Sequence, residues 1–216
     1  MSLVSRISAP VVLVVIAIVS VTLASTTALA SIVPNASSTA AKPNLVKNGS
    51  FESPVVANPC PNGGSTNPTP GICTYFGGST GVSHWVVGGN SIDLTASSVW
   101  MAAKGHQSID LSGDAPGSVT QKIATVKGRS YVLRWALAGN WDCGQPVKTM
   151  AIYWDGALKE KLKFNTTGHS TSHMGWVFKQ ITAKATSAAS SIEFADATPD
   201  HSLCGATLDA VSLRQT

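Results

Sequence analysis

The stretch Gly139-Asn-Trp-Asp-Cys-Gly-Gln-Pro146 sets one large aromatic ring, Trp141, beside polar side chains that include Asp142 and Gln145, in a segment of turn composition. A sugar presents an apolar ring face bordered by hydroxyls, so an aromatic plate next to directional hydrogen-bonding groups is the set a glycan contact requires. Trp100, which precedes Met101-Ala-Ala-Lys-Gly105, is the second tryptophan that strand phase does not hide, and it is expected to line the same end of the molecule. The competing reading is that both rings pack loops. Exposed, coplanar rings would favour the glycan contact, and buried ones a structural or partner-binding module.

Hydrolytic and metal constellations are poorly supplied. A glycosidase needs two carboxyl groups roughly 5–9 Å apart around the sugar. The glutamates are Glu52, Glu160 and Glu193; Glu160 is flanked by lysines and Glu193 alternates with Ile192 and Phe194, so both read as solvent-facing strand positions. Gly77-Gly-Ser-Thr-Gly81 matches a nucleophile-elbow pattern, but the elbow needs a strand before and a helix after the serine, and here a glycine-rich loop precedes Ser79. His169 and His173 have metal-ligand spacing only on a helix, and they lie in Thr166-Thr-Gly-His-Ser-Thr-Ser-His173, which is turn composition. Nothing here favours a catalytic reading.

From Asn44 onward apolar residues recur with period two, in short runs broken by Gly, Pro, Asn and Asp, which predicts an all-β domain. The clearest strand covers 130–138, with Tyr131, Leu133, Trp135 and Leu137 on one face and Arg134 on the other. Strands at 148–154 and 158–164 flank Asp155-Gly156 and read as a hairpin around a type I′ turn. Further candidates lie at 82–87, 91–94, 107–111, 118–124, 176–182, 190–194 and 207–213, which suits a two-sheet sandwich or jelly roll. Trp85, Trp135, Trp154 and Trp176 are assigned to the core by phase, and residues 55–81, rich in Pro, Gly, Ser and Thr, are read as one surface loop.

The chain has 216 residues, of which 12% are charged, with a net charge of +4. Its densest basic run, 159–163, contains Glu160, so no basic face of the kind nucleic acid requires is expected. Residues 1–30 carry Arg6, an apolar stretch and Ala28-Leu29-Ala30, the pattern of a cleaved secretory signal. The apolar run is about 14 residues, short of the ~20 that span hydrocarbon, so no membrane span is expected after cleavage. Residues 31–43 read as a flexible spacer before a single domain at 44–216. Four cysteines in an exported chain point to disulfides. Four cysteines permit three pairings. The expected one joins Cys60 to Cys73, which share a loop, and Cys143 to Cys204, which flank the loops entering the 140s and leaving for the last strand.

Two strings carry a family resemblance: Asn44-Leu-Val-Lys-Asn-Gly-Ser-Phe-Glu-Ser-Pro54 and Gly105-His-Gln-Ser-Ile-Asp-Leu-Ser-Gly-Asp-Ala-Pro-Gly-Ser-Val-Thr-Gln121. Leu137-Ala-Gly-Asn140, Val147-Lys-Thr149, Met174-Gly-Trp176 and Leu208-Asp-Ala-Val-Ser-Leu213 extend it over residues 44–213. The chain resembles the bacterial choice-of-anchor C proteins, themselves similar to the plant cell-wall family catalogued as domain of unknown function 642. The resemblance implies a galactose-binding-like β-sandwich associated with cell-surface polysaccharide. It also implies neighbouring first and last strands, which would bring Glu52 close to Asp209. Two carboxylates completed by loop carbonyls suit a structural Ca²⁺, a hard cation that takes six to eight oxygens; the alternative is a turn-capping pair without metal. The Cys60 to Cys73 loop departs from the family pattern, and with no sorting signal or apolar tail after Leu213 no anchor is expected. The expectation is thus a secreted, extracellular or cell-wall-associated, non-catalytic module that binds a polysaccharide or glycan. Its rival is a structural or protein-partner module of the cell envelope without sugar affinity. Neither the glycan nor the oligomeric state is legible.

Overall fold

Alternation along each strand decides which side chains meet between the sheets. In β7 (Ser130–Gly139) Tyr131, Leu133, Trp135 and Leu137 point one way and are buried, and they meet Phe194 and Ile192 of β11 (Ala189–Asp196) and Ile152 and Trp154 of β8 (Val147–Trp154). Trp135 stands edge-on to Phe194 with ring centroids 5.4 Å apart, the arrangement aromatic quadrupoles favour across a core. The computed structural model describes residues 42–216; the expected signal peptide and most of the spacer lie outside the described residues.

Seven antiparallel strands form one sheet in the order β1 (Ser65–Thr66), β2 (Ile72–Phe76), β4 (Ser91–Ala96), β5 (Gln107–Asp110), β12 (Ala206–Gln215), β7 and β10 (Val177–Lys184). The second sheet runs β3 (Val86–Gly89), β6 (Gly117–Ala124), β11, β8 and β9 (Ala157–Asn165). The described residues contain no helix, and so none long and apolar enough to cross a membrane. The β8–β9 hairpin closes through Asp155 and Gly156 at φ 51° and 75°, the left-handed pair a type I′ turn demands. The chain entry runs beside the last strand, with Leu45 N–H on the Leu213 carbonyl at 2.9 Å and Val211 N–H on that of Gly49 at 2.7 Å.

The structure corrects three expectations. Residues 55–81 are not one loop: β1 and β2 lie within them, Cys73 and Tyr75 of β2 are fully buried, and the Tyr75 hydroxyl donates to the Pro61 carbonyl at 2.9 Å. The expected strand at 82–87 is largely a turn, closed by Trp85 N–H on the Val82 carbonyl, and pairing starts at Val86. Trp176 precedes β10, half-buried, with its indole N–H on the Met101 carbonyl at 2.8 Å. The two disulfides are Cys60–Cys73, tying the entry of this segment to β2, and Cys143–Cys204, tying the loop after β7 to the approach of β12.

The outer face of the seven-stranded sheet is largely buried as well. Thr74, Thr95, Ser108, Asp110, Thr207 and Asp209 all stand on it and are all but inaccessible. Loops cover it; Trp100 lies against this face and donates its indole N–H to Ser108 Oγ at 2.8 Å.

Candidate functional site

The loop after β7 is held at several points. Asn140 N–H continues the ladder onto the Gly205 carbonyl at 2.9 Å, and its side-chain amide donates to Asp110 Oδ2 at 2.8 Å. Its Oδ1 in turn accepts from Asp142 N–H at 3.0 Å, an Asx turn that throws Trp141 outward. Cys143 is bridged to Cys204, and buried Lys148 donates from Nζ to the carbonyls of Cys143 at 2.7 Å and Cys204 at 2.6 Å. Gly144 adopts φ 69°, where a Cβ would strike Ser202 and Asp200. Gln145 N–H donates to Asp200 Oδ2 at 2.7 Å.

Trp141 remains 37% exposed, and with Asp142, Asn140, Trp100, Thr69 and Ile72 it lines a cavity of about 170 Å³. Trp100 is only 5% exposed and hydrogen-bonded, so it forms part of the cavity wall and not a second stacking plate coplanar with Trp141. Gln145 is half-buried outside that lining and contributes its backbone to anchoring the loop. The structure therefore brings together Trp141, Asp142 and Trp100 but not Gln145. Sequence reasoning does not reach Thr69 and Ile72, because residues 55–81 read as one surface loop. A neighbouring depression of about 230 Å³ also uses Thr69 and Ile72, so the two open onto one another's walls.

A carboxylate seam runs beneath this end. Asp110 accepts from Ser112 N–H at 3.0 Å, Gly205 N–H at 3.1 Å and the Asn140 amide, and burial still pushes its carboxyl well above the usual range. Asp93, its cross-strand neighbour, is pushed up to about 6 by burial, opposed by the Thr74 hydroxyl at 2.6 Å. Burial lowers the Lys148 ammonium, and the nearby Asp200, Asp110 and Asp196 oppose that shift.

Near the start of the β-sandwich, Glu52 Oε1 accepts from His106 N–H at 2.9 Å and Gln107 N–H at 3.1 Å, while Asp209 Oδ2 accepts from Lys104 N–H at 2.7 Å. Both carboxylates thus cap one segment, 104–107. Burial pushes the Asp209 carboxyl up to about 7, with the charge of Glu52 adding to the shift. Among the described residues no three His, Cys, Asp or Glu side chains gather as a metal cage, so a cation here would draw its remaining oxygens from backbone or solvent. Elsewhere, His169 and His173 form a turn with His169 Nδ1 3.0 Å from the His173 carbonyl. Ser79 Oγ accepts from Gly81 N–H at 3.1 Å with no helix after it.

A family model described as Protein of unknown function (DUF642) matches residues 44–214. The chain belongs to this family. Its two antiparallel sheets make the β-sandwich that the family resemblance implies. Halomucin of Haloquadratum walsbyi is 29% identical to this DUF642 chain over 175 residues, which are 81% of this chain and 2% of halomucin; the chain thus spans about 2% of the length of that curated relative. Backbone likeness extends to TmCBM61, solved in complex with beta-1,4-galactotriose, at 14% identity and TM-score 0.49 over 81% of this chain and 100% of that one. A family 35 carbohydrate binding module from Clostridium thermocellum is similar at 17% identity and TM-score 0.45, over 60% and 90%.

Proposed function

We propose that this DUF642 protein is a secreted, non-catalytic module that binds a polysaccharide or glycan at the Trp141 cavity. The observation that carries the reading is a half-exposed indole beside Asp142 and Asn140 on a loop already fixed by a disulfide, an Asx turn and two lysine hydrogen bonds. A loop ordered before the ligand arrives lowers the ordering cost of binding. Two disulfides also suit an oxidising, extracellular compartment. Titration against a panel of purified neutral polysaccharides tests the reading: Trp141→Ala should weaken binding by about 1–2 kcal/mol while the thermal midpoint hardly moves. A variant that unfolds, yet binds normally per folded molecule, would assign Trp141 to packing.

The burial of Trp100 favours a second reading, a structural or protein-partner module of the cell envelope. That reading prevails if no polysaccharide in the panel binds the wild type.

Glu52 and Asp209 are proposed to hold a structural Ca²⁺. Two hard-oxygen donors lie close together, and the charge of one disfavours ionisation of the other, which a divalent cation would offset. Calcium at roughly 100 times its dissociation constant should raise stability by about 2.7 kcal/mol, and chelation should remove that gain. A midpoint indifferent to both leaves the two carboxylates as turn caps.

A further inference from the structure

Where β12, β7 and β10 lie side by side, the outer sheet face carries a second, differently charged surface. Register puts Gln180, Arg134 and Ser212 in one cross-strand row and Thr182, Val132 and Arg214 in the next, all turned away from the core. The adjacent row holds Phe178, which is 63% exposed. Arg134 and Arg214 are diagonal neighbours, a placement that sets residues about 7–8 Å apart in an antiparallel pair. Together with Gln180, Ser212 and Thr216 they line a groove of about 300 Å³ whose wall, among the described residues, holds no Asp or Glu side chain. Arg214 donates one Nη1 hydrogen bond to the Lys42 carbonyl, and among the described residues its other N–H groups meet no carboxylate. β10 is the sheet edge, so among the described residues no further strand lies beyond it.

We infer that this face binds an anionic polysaccharide, one bearing carboxylate or sulfate groups, at a site separate from the Trp141 cavity. Guanidinium forks match a carboxylate or sulfate with two parallel hydrogen bonds. Phe178 offers a flat apolar face to a sugar ring, and the amide and hydroxyls of Gln180, Ser212 and Thr216 suit its hydroxyls. An acidic protein segment offers the same carboxylates without a sugar ring for Phe178 to stack on, so poly-glutamate separates the two. The Trp141 cavity has the opposite polarity, with Asp142 and no cation in its lining, so the two surfaces sort ligands by charge.

The test is binding of the whole secreted protein to immobilised polygalacturonate and to dextran sulfate, with unmodified dextran and poly-glutamate as comparisons. Wild type should bind at least one of the two anionic polysaccharides and neither dextran nor poly-glutamate; which polymer binds identifies the anion. Arg134→Gln with Arg214→Gln should weaken that binding at least roughly tenfold. Arg134→Lys with Arg214→Lys, which keeps the charge and loses the fork, should also weaken it, as should Phe178→Ala. Lys159→Gln with Lys161→Gln, which removes two exposed charges from the other sheet, should leave binding unchanged. The proposal is overturned if the lysine pair matters as much as the arginine pair, if poly-glutamate binds as tightly, or if neither anionic polysaccharide binds.

Discussion

Replacing Cys143 and Cys204 together by serine should lower stability by about 4 kcal/mol, the chain-entropy value for a loop of this length. The bridge closes a sequence separation of 61 residues, whereas Cys60–Cys73 closes 13. The shorter closure is worth about 3 kcal/mol on the same account. Local structure adds to the difference. Lys148 is wholly buried and its Nζ donates to the carbonyls of both bridged cysteines, so release of the loop leaves a buried ammonium without fixed acceptors. For a domain of this size the melting midpoint should fall by roughly 8–16 °C. Guanidinium melts of the two paired-serine variants decide the point; a Cys143/Cys204 variant within 1 kcal/mol of wild type would contradict it.

Acidification from pH 7.5 to pH 5, in chelator, should stabilise the protein. Asp93 has a folded value of about 6 against an ordinary 3.8, and Asp110 is raised well above its own ordinary value, burial being the main cause in both. A carboxyl that holds its proton more tightly in the folded chain contributes stability that is fully present below the unfolded value and lost as pH rises through the folded one. For Asp93 the loss runs from about pH 4 to pH 6 and amounts to about 3 kcal/mol. Asp93→Asn, whose Oδ1 can still accept from the Thr74 hydroxyl, should therefore raise stability at pH 7.5 and flatten the profile. Denaturant melts across this pH range check both outcomes. A wild type that weakens steadily on acidification, with an Asp93→Asn profile parallel to it, would show that the seam is hydrated and ionised.

The readability of the sequence followed how local each determinant is. β7 and the β8–β9 hairpin were legible because period-two side chains and an Asp-Gly turn act within ten residues. β2 was not: its five residues, Ile72-Cys-Thr-Tyr-Phe76, are embedded in Pro and Gly, and what makes them a strand is pairing with β4. Period two also reveals which residues share a face without revealing whether a loop will cover that face. That is why Trp100, beside a polar strand, looked available for a ligand and lies buried against Ser108. Asp110 and Asp209 are buried on the same sheet face; family resemblance marked Asp209 as a cation-ligand candidate, but no local pattern marks either as buried. Proximity of Glu52 to Asp209 came from family resemblance, since no local pattern joins residues at opposite ends of the domain. Gln145 was assigned a side-chain role by composition, but its backbone does the anchoring.

Glycan contact at Trp141 has a spectroscopic signature. Its most direct test follows the six tryptophan indole N–H signals of nitrogen-15-labelled protein as a bound oligosaccharide from the panel is titrated in. Trp135, Trp154, Trp85 and Trp100 are buried, and only Trp141 presents a substantial part of its ring in the candidate cavity. The Trp141 signal should move along a saturable curve while those of Trp135 and Trp154 stay fixed. Saturable binding that leaves the Trp141 signal unmoved would contradict the account.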